Sequence, residues 1–229
     1  MMLLLVVAMI PVATDAVKVN IRQNIGRESE KTEAKPIRKV LFLGDSMTGW
    51  LSERLNAYGE KNGFEVATVV WDGSTIKKWG STSRLSEIIA SHKPDAVFIS
   101  LGLNELFASN PQNTLGTYTD NILSAVGNIP LLWIGPPSWP GHAKGEKMDS
   151  WLASKMGEGR YFSSFNMSLP RQSKTNPHPT KEGCAEWIDE VVEWIPANTQ
   201  LHFESLKKPA PNAMTRGKSF IYKRMKETL

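Results

Sequence analysis

The sequence predicts one doubly wound α/β domain, on three observations. Short apolar runs alternate with segments of helical period, as in β-α units around a parallel sheet. The first run, Val40-Leu41-Phe42-Leu43, has no polar face, as expected of a strand covered on both sides. Turn residues (Gly44-Asp45, Asp72-Gly73, Gly102 and Gly135-Pro136) stop the runs where loops should begin.

The elements follow in order. A strand over 39–44 leads into a helix carrying Met47, Leu51, Leu55 and Tyr58 at helical spacing and stopped by Asn62-Gly63. Residues 64–71 form the second strand, and a loop then leads to a helix over 83–91. Residues 96–101 are the third strand, 115–126 a helix, and 130–134 the fourth strand. A loop over 138–147 is expected to cover the site, before a short helix over 148–156 and a weaker fifth strand over 160–164. Residues 171–180 read as irregular, and Cys184, Trp187, Ile188, Val191, Val192 and Ile195 share one face of a last helix over 181–195. Five parallel strands with helices on both faces make a three-layer α/β/α sandwich.

The length of 229 residues is enough for one core and too short for two domains with linkers. Hydrophobic residues at 41% and charged residues at 22% are those of a globular chain, which argues against disorder. Residues 1–16 read as a signal peptide with a short apolar run, placing the chain outside the cytoplasm or in the periplasm. The run lacks a positive segment before it; if it is not a signal, the chain stays cytoplasmic. It is too short to span a membrane. Residues 17–36 read as a polar linker, 37–197 as the domain, and 198–229 as a basic extension, irregular apart from a terminal helix over 219–227.

The net charge of +4 is concentrated in that extension, which reads as a solvated tail, and no motif points to nucleic acid. One cysteine, Cys184, excludes an intrachain disulfide and a paired-thiol redox site. No ligand cluster suggests a metal, and no cofactor is expected.

In a doubly wound sheet, ligands bind outside the carboxyl ends of the strands. Those ends carry Ser46, Gly73 and Asn104, and the loop before the last helix carries His178. A serine at a strand-to-helix turn exposes its hydroxyl and aims its own N–H at a developing oxyanion. Gly73 offers a second N–H, Asn104 a side-chain donor, and His178 a base.

Gly44-Asp45-Ser46, Gly73, Gly102-Leu103-Asn104-Glu105 and Pro177-His178-Pro179-Thr180, in that order, resemble the SGNH (GDSL) hydrolase family. The resemblance runs from about Val40 to Ile195 and implies a flavodoxin-like fold. It implies Ser46 as nucleophile, His178 as base, and an oxyanion hole made of the Ser46 and Gly73 amides and the Asn104 side chain. One position departs from the family. The acid usually three residues before the histidine is replaced by Thr175, so the third member of the triad is unassigned. A backbone carbonyl within 173–176, a carboxylate from Glu182 or Asp149, or a bare Ser-His dyad would each serve.

The function expected is hydrolysis of an acyl ester, an acetyl ester on a carbohydrate being the favoured case, with Trp79 and Trp139 as rings that could stack on a sugar. The partner is then a small-molecule or glycan ester. Two alternatives use the same cleft: a glycan-binding domain that lost catalysis with the acid, and an O-acyltransferase with the same nucleophile. Asp45 and Glu105 are expected to hold loops through backbone N–H groups.

Overall fold

The computed structural model describes residues 35–138, 145–211 and 213–229. The proposed signal peptide, nearly all of the linker, and Trp139 lie outside the described residues. The domain starts at β1 (Lys39–Gly44) and continues through α1 (Thr48–Asn62), β2 (Glu65–Trp71), α2 (Ile76–Gly80), α3 (Arg84–His92), β3 (Ala96–Ser100) and α4 (Pro111–Val126). It ends with β4 (Leu131–Ile134), α5 (Glu146–Met156), β5 (Tyr161–Phe162), α6 (Lys181–Asn198) and β6 (Phe220–Lys223). The strands form one sheet in the order β5-β4-β3-β1-β2-β6, and every pair is parallel.

Side-chain alternation along the strands divides the core in two. Val40 and Phe42 of β1 join the cluster that includes Leu51 and Leu55 of α1 and Trp187, Ile188 and Val191 of α6. Leu41 and Leu43 join the opposite cluster, with Trp79 of α2, Leu85 of α3, Leu115 of α4 and Leu152 of α5. This is the expected three-layer α/β/α sandwich, with both faces of the sheet covered.

Three expectations need correction. The sheet has six strands among the described residues, not five, because residues 220–223 pair with β2, Thr68 opposite Phe220 and Trp71 opposite Lys223. Phe220-Ile221-Tyr222 is rich in aromatic and β-branched residues, which suit a strand better than the terminal helix expected there. The extension 198–229 therefore belongs to the domain, which runs from Lys35 to Leu229.

What ties the extension down is a buried cation. Arg54 of α1 is fully buried; its guanidinium makes two bonds to Asp189, at 2.9 and 3.0 Å, and donates to the carbonyls of Ala210 and Ala213. A buried guanidinium is tolerated only when its donors are satisfied, so Ala210 and Ala213 are held against α1. The helix expected over 115–126 starts earlier, at Pro111: Asn110 caps it by accepting the Asn113 N–H at 3.1 Å, and proline suits the first turn.

Candidate active site

The turn after β1 carries Ser46. Gly44, φ +159°, is required there by close approach: a Cβ would lie 2.1 Å from the Ser100 carbonyl oxygen and 2.4 Å from Thr48 Oγ1. The Asp45 N–H donates to Ser100 O at 3.2 Å, and its carboxylate accepts the Met47 N–H at 3.0 Å. The chain thus reverses from strand to helix around a buried acid, leaving Ser46 half-buried at the cleft. Burial pushes the Asp45 carboxyl up to about 7; the Met47 N–H opposes this, and the charges of Glu105 and Asp72 add to it.

His178 arrives on a closed loop. Arg171 bridges Pro179 in antiparallel fashion, the Gln172 N–H donates to His178 O at 3.0 Å, and the Thr180 N–H donates to Pro170 O at 2.8 Å. Thr180 then caps α6 by accepting the Gly183 N–H at 3.1 Å. Arg171 ties the loop to its surroundings, donating to Pro177 O within the loop and to Ser138 O at 2.6 Å outside it.

The loop brings His178 Nε2 within 2.8 Å of Ser46 Oγ. On the other side of the ring, Nδ1 lies 2.7 Å from Asn176 Oδ1. The partner of the histidine is therefore a side-chain carbonyl, not the backbone carbonyl that the sequence offered as one option. Neither proposed carboxylate serves. Asp149 accepts from Tyr161 Oη at 2.7 Å and Ser163 Oγ at 2.8 Å, and the Glu182 side chain is exposed in the first turn of α6. Thr175 is exposed and bonds to Ser173.

Which end of the Asn176 amide faces the ring is set by its neighbours. The same oxygen accepts the His178 backbone N–H at 3.0 Å, a group that can only donate. The amide nitrogen donates to Gln172 Oε1 at 3.0 Å, and Gln172 Nε2 donates to Pro179 O at 3.3 Å. An oxygen facing Nδ1 requires the proton on Nδ1, which leaves the Nε2 lone pair for the serine hydroxyl. A signal for Asn176 was present in the sequence: asparagine commonly accepts the N–H two residues ahead, and Pro177 between them favours such a turn.

Burial lowers the His178 pKa; the charge of Asp72 opposes this and that of Arg171 adds to it. The imidazole is thus neutral, and able to act as a base, below the usual pH range.

Gly73 follows β2 with φ +60°, a conformation glycine adopts at little cost. Among the described residues, no backbone hydrogen bond engages the N–H of Ser46 or of Gly73. Asn104 Nδ2 donates to Ser74 O at 2.8 Å and lies 3.5 Å from Asp45 Oδ2, so one N–H is firmly placed and the other only weakly engaged. Glu105 accepts the N–H groups of Ile76 and Lys77 at 2.7 and 3.2 Å and so begins α2.

Trp79 is not at the cleft. It is fully buried, packs edge-on against Trp71 and donates to Ser74 Oγ at 2.9 Å, so a sugar cannot stack on it. Its spacing from Gly73 suggested a loop, but residues 76–80 are helical and turn the ring into the core. Cys184 is buried, and burial pushes its thiol up to about 12, which leaves no thiolate at neutral pH.

The sixth strand contributes to the site. Tyr222 Oη donates to Asp72 Oδ2 at 3.2 Å, and Met225 packs so closely on Gly73 that a Cβ there would meet its Cε at 2.6 Å. A cavity of about 430 Å³ opens beside Ser46 and His178, bounded by the start of α1, by Gln172 and Pro179, and by β6.

No family model and no curated protein matches the sequence. Solved structures do match the fold. A lipolytic protein of the G-D-S-L family from Desulfitobacterium hafniense DCB-2 has a TM-score of 0.52 at 20% identity, over 67% of this chain and 98% of that one. The Clostridium thermocellum family 3 carbohydrate esterase has a TM-score of 0.51 at 17% identity, over 68% and 94%. The acetyl xylan esterase AlAXEase has a TM-score of 0.53 at 16% identity, over 69% and 99%.

Proposed function

We propose that this chain, whose fold is that of the SGNH hydrolases, is a serine ester hydrolase in which Ser46 attacks, His178 moves the proton and Asn176 orients His178. The observation that carries the reading is the unbroken path from Ser46 Oγ to His178 Nε2, 2.8 Å, and from His178 Nδ1 to Asn176 Oδ1, 2.7 Å.

In the first step the Ser46 Oγ–C bond forms, the carbonyl electron pair moves to oxygen, and the hydroxyl proton passes to His178 Nε2. The N–H groups of Ser46 and Gly73 and the weakly engaged N–H of Asn104 receive the oxyanion. The intermediate collapses by breaking the bond to the alcohol oxygen, which takes the proton from His178. Water then attacks the acyl-serine while His178 accepts its proton, and the acid leaves as Ser46 regains its hydrogen.

A neutral amide in the third position changes the energetics. Converting the aspartate of a Ser-His-Asp triad to asparagine costs about 10⁴ in turnover because the amide selects the wrong tautomer. Here the His178 N–H and Gln172 hold the amide oxygen toward the ring, which supports the working tautomer. Cysteine-histidine-asparagine proteases use the same kind of partner. What the chain lacks is a carboxylate to stabilise the imidazolium once it forms.

The substrate class in this reading is an acetyl ester of a carbohydrate. Its support is the carbohydrate esterase and the acetyl xylan esterase among the similar folds. Trp79 no longer contributes to it. Export of the chain stays part of the proposal and rests on residues 1–16. The second reading, a glycan binder that lost catalysis with the acid, is weakened by Asn176, which supplies an acceptor for His178 Nδ1 but no carboxylate.

The test is hydrolysis of 4-nitrophenyl esters, acetate to octanoate, by the parent protein and by Ser46→Ala and His178→Ala. Each variant should lose about 10⁴-fold or more in kcat. Equal rates for parent and Ser46→Ala would end the esterase reading. Transfer of the acetyl group to an added sugar, in place of free acetate, would make the enzyme a transferase.

A further inference from the structure

The cavity beside Ser46 lies on one particular side of the reacting atoms. Its walls include His178, Gln172 and Pro179, and not Gly73 or Asn104, the candidate oxyanion donors. In the reaction proposed above, on which this inference rests, the leaving oxygen must collect its proton from His178 Nε2. The alcohol therefore departs toward His178, and the cavity is where it lies.

The cavity walls describe what fits there. Trp50, Val70, Phe220 and Tyr222 give it apolar and aromatic surface, and the Glu53–Arg216 ion pair, 3.1 Å, adds charge, with the Arg216 guanidinium 4.4 Å over the Phe220 ring. The volume of about 430 Å³ falls in the range of small-molecule sites, which spans roughly 300–1,000 Å³. Aromatic walls with a nearby ion pair suit a ring whose faces are apolar and whose edge can carry hydroxyls.

Gly49 leaves open space where a side chain would stand. This residue stands in the first turn of α1, three positions after Ser46 and on the cavity wall, and a Cβ built on it meets no atom within 4 Å. Glycine inside a helix is less favourable than alanine by about 1 kcal/mol, and no crowding requires it here. We infer that the cavity seats the leaving alcohol as a single ring and that Gly49 is the residue that sets its size.

Acetates of primary alcohols test this, because their leaving groups are closely similar in basicity. The parent protein should cleave cyclohexylmethyl acetate and 6-O-acetylglucose with kcat/KM about tenfold above ethyl acetate, the effect of desolvating roughly two methylene groups. In Gly49→Leu, with folding confirmed by its melting curve, the ring-to-ethyl ratio should fall toward one. The two ring substrates tell an apolar ring from a sugar.

A parent ratio near one, or a ratio that Gly49→Leu leaves intact, overturns the inference. So does a variant that alters selection between ethyl acetate and ethyl octanoate instead, which would put the acyl chain in the cavity. A second arm needs no turnover: NMR titration of Ser46→Ala with cyclohexylmethanol and with glucose should shift the Trp50 indole resonance, and adding Gly49→Leu should abolish the shift. If no ester is cleaved the esterase reading fails, while this titration still decides what the cavity holds; no shift with either alcohol overturns the inference.

Discussion

The turn that carries Ser46 and the loop that carries His178 are held in place by different means. At the turn, the restraints are mostly backbone: a glycine pressed against the Ser100 carbonyl, a strand in the middle of the sheet, and one buried carboxyl. At the loop, backbone bonds close its base, but side chains place the ring: Asn176 on His178, Gln172 on Asn176, and Arg171 on Pro177 and Ser138. A main-chain turn has few ways to be built, so a damaged one threatens the fold. A side-chain scaffold can lose one member and still hold the chain, so damage there should appear as lost rate.

The largest effect is expected at the turn. Gly44→Ala puts a methyl group 2.1 Å from the Ser100 oxygen, which cannot move without disturbing β3. The variant should lose about 3 kcal/mol or more of stability in urea unfolding. A loss below about 1 kcal/mol would mean that the turn adapts and the contrast between the two regions is not real.

At the loop, Asn176→Ala should fold normally and lose about 100-fold in kcat, near 2.7 kcal/mol of barrier, because Nδ1 is left without an acceptor. Asn176→Asp sharpens the point through pH. In the parent, burial lowers the His178 pKa, so the acid limb of kcat/KM lies below the ordinary imidazole value of 6.5. A carboxylate favours the imidazolium and raises that pKa, so the limb should move to higher pH in the variant, by about a unit. A limb that stays in place would mean that residue 176 does not face the ring.

The smallest effect is expected from Gln172→Ala, read on the acetate of a small alcohol because Gln172 also lines the cavity. It frees the Asn176 amide to turn, so kcat should fall by about three- to tenfold. The downfield NMR signal of the His178 Nδ1–H should broaden as its bond to Asn176 loosens.

The same contrast explains what could be read in advance. Strand ends, the β1–α1 turn and the apolar face of α6 follow from periodicity and turn residues, which is why Ser46 could be placed outside the carboxyl end of β1. Asn176 was harder, because its role depends on a side chain turning back on the next residues, although the Asn-Pro-His spacing carried a hint. The wall made by residues 220–223 was not legible as a strand. Four residues are too few for a period, and their pairing partner, β2, lies far away in the sequence. Trp79 was misplaced for a related reason: a five-residue helix is too short to reveal which way its ring points.

The sixth strand also fixes an order of events in time. A chain emerging from the ribosome presents Ser46 first, then Asn176 and His178, and only afterwards the residues of β6. Ser46 and His178 are therefore synthesised before one wall of the cavity beside them exists, and the edge of β2 stays uncovered until β6 arrives. In the reading proposed above, a chain stopped between His178 and β6 would carry the Ser46–His178 pair without one wall of the cavity beside it.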